Sequence, residues 1–219
     1  MLGQLHCGRY GGVVQTMTRR QQQQATLRRD VLDAALAQLD EGGSTAVNWR
    51  GLARAVGVGP STLYTYFESI DALHTALILE VYGQMAAEVR RGVDPDALAG
   101  ERVAAAASGY RRFAAQYPSR FTLVFTDVLP GYSAPQGGPT IDAQVAVMEP
   151  LIDGVASLLG RTDTEVASWP AADRRQVIRA WAQLHGFISL EVNHHLVWLD
   201  DVDKIFVSII DDLLADLSA

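Results

Sequence analysis

The sequence predicts an all-α protein of about nine helices, a three-helix head followed by a larger helical body, and three observations carry that expectation. No segment sustains an alternation of apolar and polar residues, so no strand is expected. Apolar residues recur instead at helical spacing between breaks marked by Gly and Pro. Residues 48–67 read as two short helices joined by a tight glycine turn.

The first helix of the head is expected from Thr26 to Glu41, where Leu27, Val31, Ala34, Ala35 and Leu39 share a face and Gly42-Gly43 stops the chain. Asn48 can cap the next helix by accepting from a free first-turn amide. Leu52, Ala53 and Val56 form its buried face, and the small Ala53 lets another helix cross closely. Gly57 stands where the chain must enter the left-handed region, with Val58 as an apolar plug behind it. Pro60 suits a first helical turn, because its missing amide hydrogen would have been unpaired anyway. Leu63 and Phe67 anchor the second helix, leaving Ser61, Thr62, Thr65 and Tyr66 outside and Tyr64 beside the anchor row. This is the layout of a helix-turn-helix. A hydroxyl- and tyrosine-rich face of that kind fits the major groove of B-DNA, where hydroxyls bond phosphates or base edges and a tyrosine ring covers a thymine methyl.

Beyond the head, Ser69 caps a long helix from Ile70 to about Arg90, ended by Gly92 and Asp94-Pro95. A further helix is expected from Pro95 to about Gln116, then a short one from Pro118 through Phe125. Gly131 to Pro139 reads as a loop, after which Thr140 caps a helix that bends or restarts at Pro150 and ends at Gly160. Two last helices span about Pro170 to His195 and Asp200 to Leu217. In the last, Ile205, Phe206, Val207, Ile209, Ile210, Leu213, Leu214 and Leu217 cover more than one stripe, which implies burial on two sides. A second copy of the helix is the economical cover, giving a homodimer through Ile205, Phe206, Ile209, Ile210 and Leu213. A central helix within a monomer is the alternative. Two heads spaced by about one DNA turn, ~34 Å, would gain from simultaneous engagement.

Composition sets the remaining bounds. The 219 residues are 48% hydrophobic, and without any apolar run of about 18 residues no membrane span is expected. The lone Cys7 allows no disulfide or cysteine-based zinc site within one chain, the usual state of a cytoplasmic protein. The net charge is −7, but residues 1–70 carry seven Arg against five acidic residues while the rest carry eleven basic against twenty acidic. A mildly basic head on an acidic body presents only the head to phosphates. Arg19, Arg20, Arg28 and Arg29 could extend that contact, although solvated arginines are as good an account. Residues 1–16 lack the apolar core of a secretory signal, and Met17 resembles a natural start. The expected division is a disordered extension at 1–24, the helix-turn-helix domain at 25–70 and the body at 71–219.

From Leu27 to Leu73 the chain resembles the TetR (tetracycline-repressor-like) family of transcriptional regulators. The resemblance rests on Ala53-Arg-Ala-Val-Gly-Val-Gly-Pro-Ser-Thr-Leu-Tyr-Thr-Tyr-Phe67 followed by Ser69 and Asp71-Ala-Leu73. Trp181-Ala-Gln-Leu-His185-Gly186, with Tyr110-Arg-Arg-Phe113 and Tyr117 to Phe121, is similar to a C-terminal subgroup named for its Trp, His and Gly. The resemblance implies a homodimeric regulator, acting as a repressor, whose heads bind a palindromic operator in double-stranded DNA and whose bodies bind a small-molecule effector that releases it. By position, Arg50, Pro60, Ser61 and Tyr64 would meet base edges, and Thr62, Thr65 and Tyr66 would hold phosphates. Many relatives open the fourth helix with a lysine where this chain has Ile70, which removes one phosphate contact. Tyr82, Tyr110, Phe113, Phe121, Met148, Trp181 and His185 are candidate effector-cavity residues, with plain core packing as the competing role for each.

Two other classes compete. A helical enzyme would need a nucleophile with its base, a metal constellation or a phosphate loop. Glu191 and His195 stand four apart but have no third ligand and no HExxH pattern, so neither metal nor cofactor is expected. A helical interaction module without DNA binding would have a decayed recognition face, whereas this one departs only at Ile70.

Overall fold

The computed structural model describes residues 18–126, 129, 132 and 138–218. The expectations for residues 1–16, for Cys7 and for most of the Gly131–Pro139 loop lie outside the described residues. Among the described residues the chain forms nine α-helices and two short 3₁₀ turns, and no strand.

The first helix, α1 (Arg19–Gly42), begins seven residues before the expected Thr26. Thr18 and Gln21 form a capping box, with the Thr18 amide donating to Gln21 Oε1 (2.8 Å) and the Gln21 amide to Thr18 Oγ1 (3.3 Å). The glutamine run, all good helix formers, simply continues it. The boundary drawn at residues 24 and 25 therefore falls inside a helix.

Helices α2 (Trp49–Ala55) and α3 (Pro60–Leu63) follow. The long α4 (Ile70–Arg91) is capped by the Ser69 hydroxyl, which accepts from the Ala72 amide. Next, α5 (Ala99–Gln116) starts later than Pro95 because Asp94 accepts from the Asp96 amide (3.0 Å) in a local turn, and Glu101 reaches back to the Leu98 amide (3.1 Å). After it, α6 (Pro118–Phe125) has the expected bounds. Gly138, not Thr140, is the N-cap of α7 (Pro139–Leu158), and Pro150 is buried inside that helix without ending it. Last come α8 (Ala171–Val192) and α9 (Val202–Ser218). Helix α8 stops short of His195 because His194 turns left-handed (φ 59°), and the His195 amide then donates to the Leu190 carbonyl at 2.9 Å.

Helices α4, α5 and α7 pack together at the centre of the body, with α8 and α9 against α5. The α4–α5 crossing needs Gly109, since a Cβ there would lie 2.8 Å from the Glu88 carbonyl oxygen and 2.9 Å from Val89 Cα. On α9, Phe206, Ile210, Leu213 and Leu217 face the chain's own core, and Arg111 lies over the Phe206 ring at 4.7 Å. This corrects the dimerisation set. Phe206, Ile210 and Leu213 are committed within the chain, and only Ile205 and Ile209 of the five keep partial exposure. Exposed apolar side chains in this part of the body include Ile178 and Leu190 on α8, Val197 and Trp198 between α8 and α9, and Val207 on α9.

Candidate nucleic-acid interface

The head holds its second and third helices by a side-chain network. The Asn48 side chain accepts from the Gly51 amide (2.8 Å), and the Asn48 amide donates to Gln38 Oε1 of α1 (3.2 Å). Gly57 has φ 71°, and the Val58 amide donates to the Ala53 carbonyl at 2.9 Å, closing α2 as its spacing predicts. Leu63 and Phe67 are buried anchors. The regular helix α3 is only four residues long. Turn hydrogen bonds carry its geometry on through Thr65 and Tyr66, whose amides donate to Thr62 (3.0 Å) and Leu63 (2.9 Å).

Arg50, Pro60, Ser61, Tyr64 and Thr65 are exposed, and Thr62 is half-buried. The Arg50 side chain makes no hydrogen bond or ion pair among the described residues, so its guanidinium is free for a partner. Tyr66 is half-buried against the core, which leaves it less of a face than the reading as a phosphate contact assumed. Two of the four arginines of the arm are already engaged. Arg28 stacks over Phe67 at 4.7 Å, and Arg29 pairs with Asp33 (2.8 Å) and Glu80 (2.9 Å). Arg19 and Arg20 stay exposed at the start of α1, and Ile70 is likewise open at the start of α4.

Sequence reasoning passed over Trp49. Its indole N–H donates to the Pro60 carbonyl (2.9 Å), and its ring lies 4.6 Å from that of Tyr64, tilted by 40°. A tryptophan directly after a capping Asn was the available signal.

In the body, Tyr110, Phe121, Trp181 and His185 meet in one aromatic cluster completed by Phe125. Trp181 and His185 stack at 5.3 Å with 18° between their planes. The Tyr110 hydroxyl bonds His185 Nδ1 at 2.9 Å, and His185 Nε2 faces Ser189 Oγ at 3.3 Å. With Tyr110 donating to Nδ1, the ring proton sits on Nε2 toward Ser189. Burial drives the His185 pKa below 6.5, and burial with the nearby Tyr82 drives the Tyr110 hydroxyl well above 10.0. Both groups are therefore neutral near pH 7. Tyr82 touches the cluster through Phe125 and donates to the Val124 carbonyl (3.2 Å). Phe113 is not part of the cluster and packs on Tyr117. Met148 joins Tyr110 and Trp181 only across a void of about 10 Å³, room for no more than a water. Around this void the described side chains of the cluster are closely packed. Glu191, half of the possible metal pair, is held by Arg111 instead (2.7 and 2.5 Å).

Residues 31–77 match the family of bacterial regulatory proteins of the tetR type, and residues 103–213 match the tetracyclin repressor-like C-terminal domain. The chain belongs to the TetR family of DNA-binding transcriptional regulators and is not an enzyme. It is 29% identical over 185 residues to the HTH-type transcriptional regulator Rv1816 of Mycobacterium tuberculosis, covering 74% of this chain and 79% of that one. The same values hold for the HTH-type transcriptional regulator Mb1846 of Mycobacterium bovis. Among solved structures, SCO4313, assigned as a regulatory protein, superposes with a TM-score of 0.74 at 26% identity over 90% of this chain and 100% of that chain. A Rhodococcus sp. RHA1 protein of unknown function gives 0.71 at 25% identity over 88% and 96%. No helix of the described residues is long and apolar enough to cross a membrane.

Proposed function

We propose that this regulator acts as a homodimeric repressor in the cytoplasm, gripping a palindromic operator with residues 25–70 and releasing it when the 71–219 body takes up a small, largely aromatic or apolar effector. The observation that carries the DNA reading is the free outer row of Arg50, Pro60, Ser61, Tyr64 and Thr65 on a rigidly braced helix-turn-helix. Arg50 suits bidentate pairing with guanine O6 and N7, and Tyr64 suits a thymine methyl. Thr62 and Thr65 supply hydroxyls for phosphates, with Tyr66 in a smaller share.

The reading of the body rests on the aromatic cluster. Tyr110, Trp181 and His185 combine apolar walls with a neutral hydrogen-bonding pair, the composition of a small-molecule site. Because the void is so small, the effector would open the site by displacing Trp181 or Met148. Tyr82 and Phe121 would then frame it, while Phe113 serves packing. For the dimer, the half-exposed Ile205 and Ile209 remain from the last helix. The outward row Ile178, Ala182, Gly186 and Leu190 on α8, four residues apart, offers the better apolar face.

Gel retardation of the chain's own upstream region at two salt concentrations, beside light scattering, tests the whole reading. A retarded band that weakens with salt and a dimer mass are expected. A folded dimer that retards no intergenic fragment would leave a helical interaction module as the better account.

A further inference from the structure

The helix that meets DNA is four residues long, and Tyr64 lies just beyond its last residue, where only turn hydrogen bonds order the backbone. Left alone, a side chain at such a place would sample several rotamers and lose that freedom on binding. Here it is braced from another helix. Trp49, the first residue of α2, is half-buried against the core and donates its indole N–H to the carbonyl of Pro60, the first residue of α3. Its ring packs on the Tyr64 ring, with centroids 4.6 Å apart and 40° between the planes. Tyr64 remains 59% exposed, so much of its side chain is open to a partner.

Resting on the DNA-reading proposal above, we propose that Trp49 is the positioning residue for sequence readout. It sets the α2–α3 angle through its N–H and holds Tyr64 as a rigid plate that covers a thymine C5-methyl in each half-site. Trp49 itself does not touch DNA. It acts through Tyr64, so the loss of Trp49 removes discrimination at one base pair and not merely affinity.

The test is selection of preferred sites from a randomised duplex pool with the full chain, followed by titration of the selected site with single thymines replaced by deoxyuridine, which lacks only the methyl. Wild type is expected to select a thymine in each half-site whose replacement weakens binding by about fourfold, the worth of one buried methyl group. Tyr64→Ala and Trp49→Ala should each abolish that sensitivity, and the two losses should not add. Trp49→Phe, which keeps a ring but not the N–H, should retain part of it. Circular dichroism checks folding, and Trp49→Leu replaces Trp49→Ala should the latter fail to fold.

A folded Trp49→Ala or Trp49→Leu that keeps the full deoxyuridine sensitivity overturns the proposal. So does a wild-type motif with no sensitive thymine, or a loss that is equal on every sequence and additive with Tyr64→Ala. A wild-type chain that enriches no motif at all overturns the DNA-reading proposal itself, and this one with it.

Discussion

Arg120 of α6 grips Asp40 at the end of α1 through two parallel hydrogen bonds, Nε to Oδ1 at 3.0 Å and Nη2 to Oδ2 at 2.5 Å. Its third nitrogen donates to Gln84 of α4 (2.6 Å), and the guanidinium stacks over Tyr117. The next residue, Phe121, faces the other way into the Tyr110–His185 cluster. One short helix therefore touches the head with one residue and the aromatic cluster with its neighbour. Arg120→Ala should lower the free energy of unfolding by about 1–2 kcal/mol, held to that range because Asp40 is partly open to solvent. A double-mutant cycle with Asp40→Ala in urea should return a non-zero coupling, and strictly additive effects would contradict the bidentate pair.

Two glycines make a controlled pair. Gly109→Ala should destabilise the body by about 1–3 kcal/mol, since the new methyl meets backbone that cannot turn aside. Gly83→Ala, where a Cβ meets nothing within 4 Å, should be neutral or stabilise by up to about 1 kcal/mol. Thermal unfolding of both variants reads the difference.

Burial lowers the pKa of His185 and of His74, whose Nδ1 is buried with no hydrogen-bond partner among the described residues. Both groups are held neutral in the fold, so an unfolded chain takes up protons first as the pH drops. The stability they contribute is full above about pH 6.5 and declines below it, down to the folded pKa values. A melting temperature that falls below pH 6.5 is expected, with a shallower fall in His185→Gln. An unchanged slope in that variant would exclude His185 as a contributor.

On DNA, Arg50→Ala should relax specificity at one position per half-site by about 1–3 kcal/mol, while Thr65→Ala should weaken all sequences alike. Binding titrations against single-base variants of a selected site separate the two patterns.

If the outer face of α8 joins two copies, Leu190→Asp should convert a dimer to a monomer in sedimentation with little change in helicity. Ile210→Asp should instead unfold the chain, because its side chain is only 6% exposed within one copy.

The family and the all-helical architecture were legible in the sequence because they rest on local rules. Asn48, Gly57, Pro60 and Ser69 each do within a few residues what their chemistry dictates, and helical spacing marked Leu63 and Phe67 as buried. What the tertiary structure alone decided is how side chains are shared between distant segments. Periodicity shows that α9 is apolar on more than one side but not which side its own body covers, so Phe206, Ile210 and Leu213 were open to either use. Composition counts Arg28 and Arg29 as free charge, yet packing places them on Phe67, Asp33 and Glu80. Likewise Trp49 and Tyr64, fifteen positions apart, or Arg120 and Asp40, eighty apart, become partners only when helices cross. Local conformational preference is written residue by residue, whereas burial and pairing depend on which surfaces the folded chain brings together.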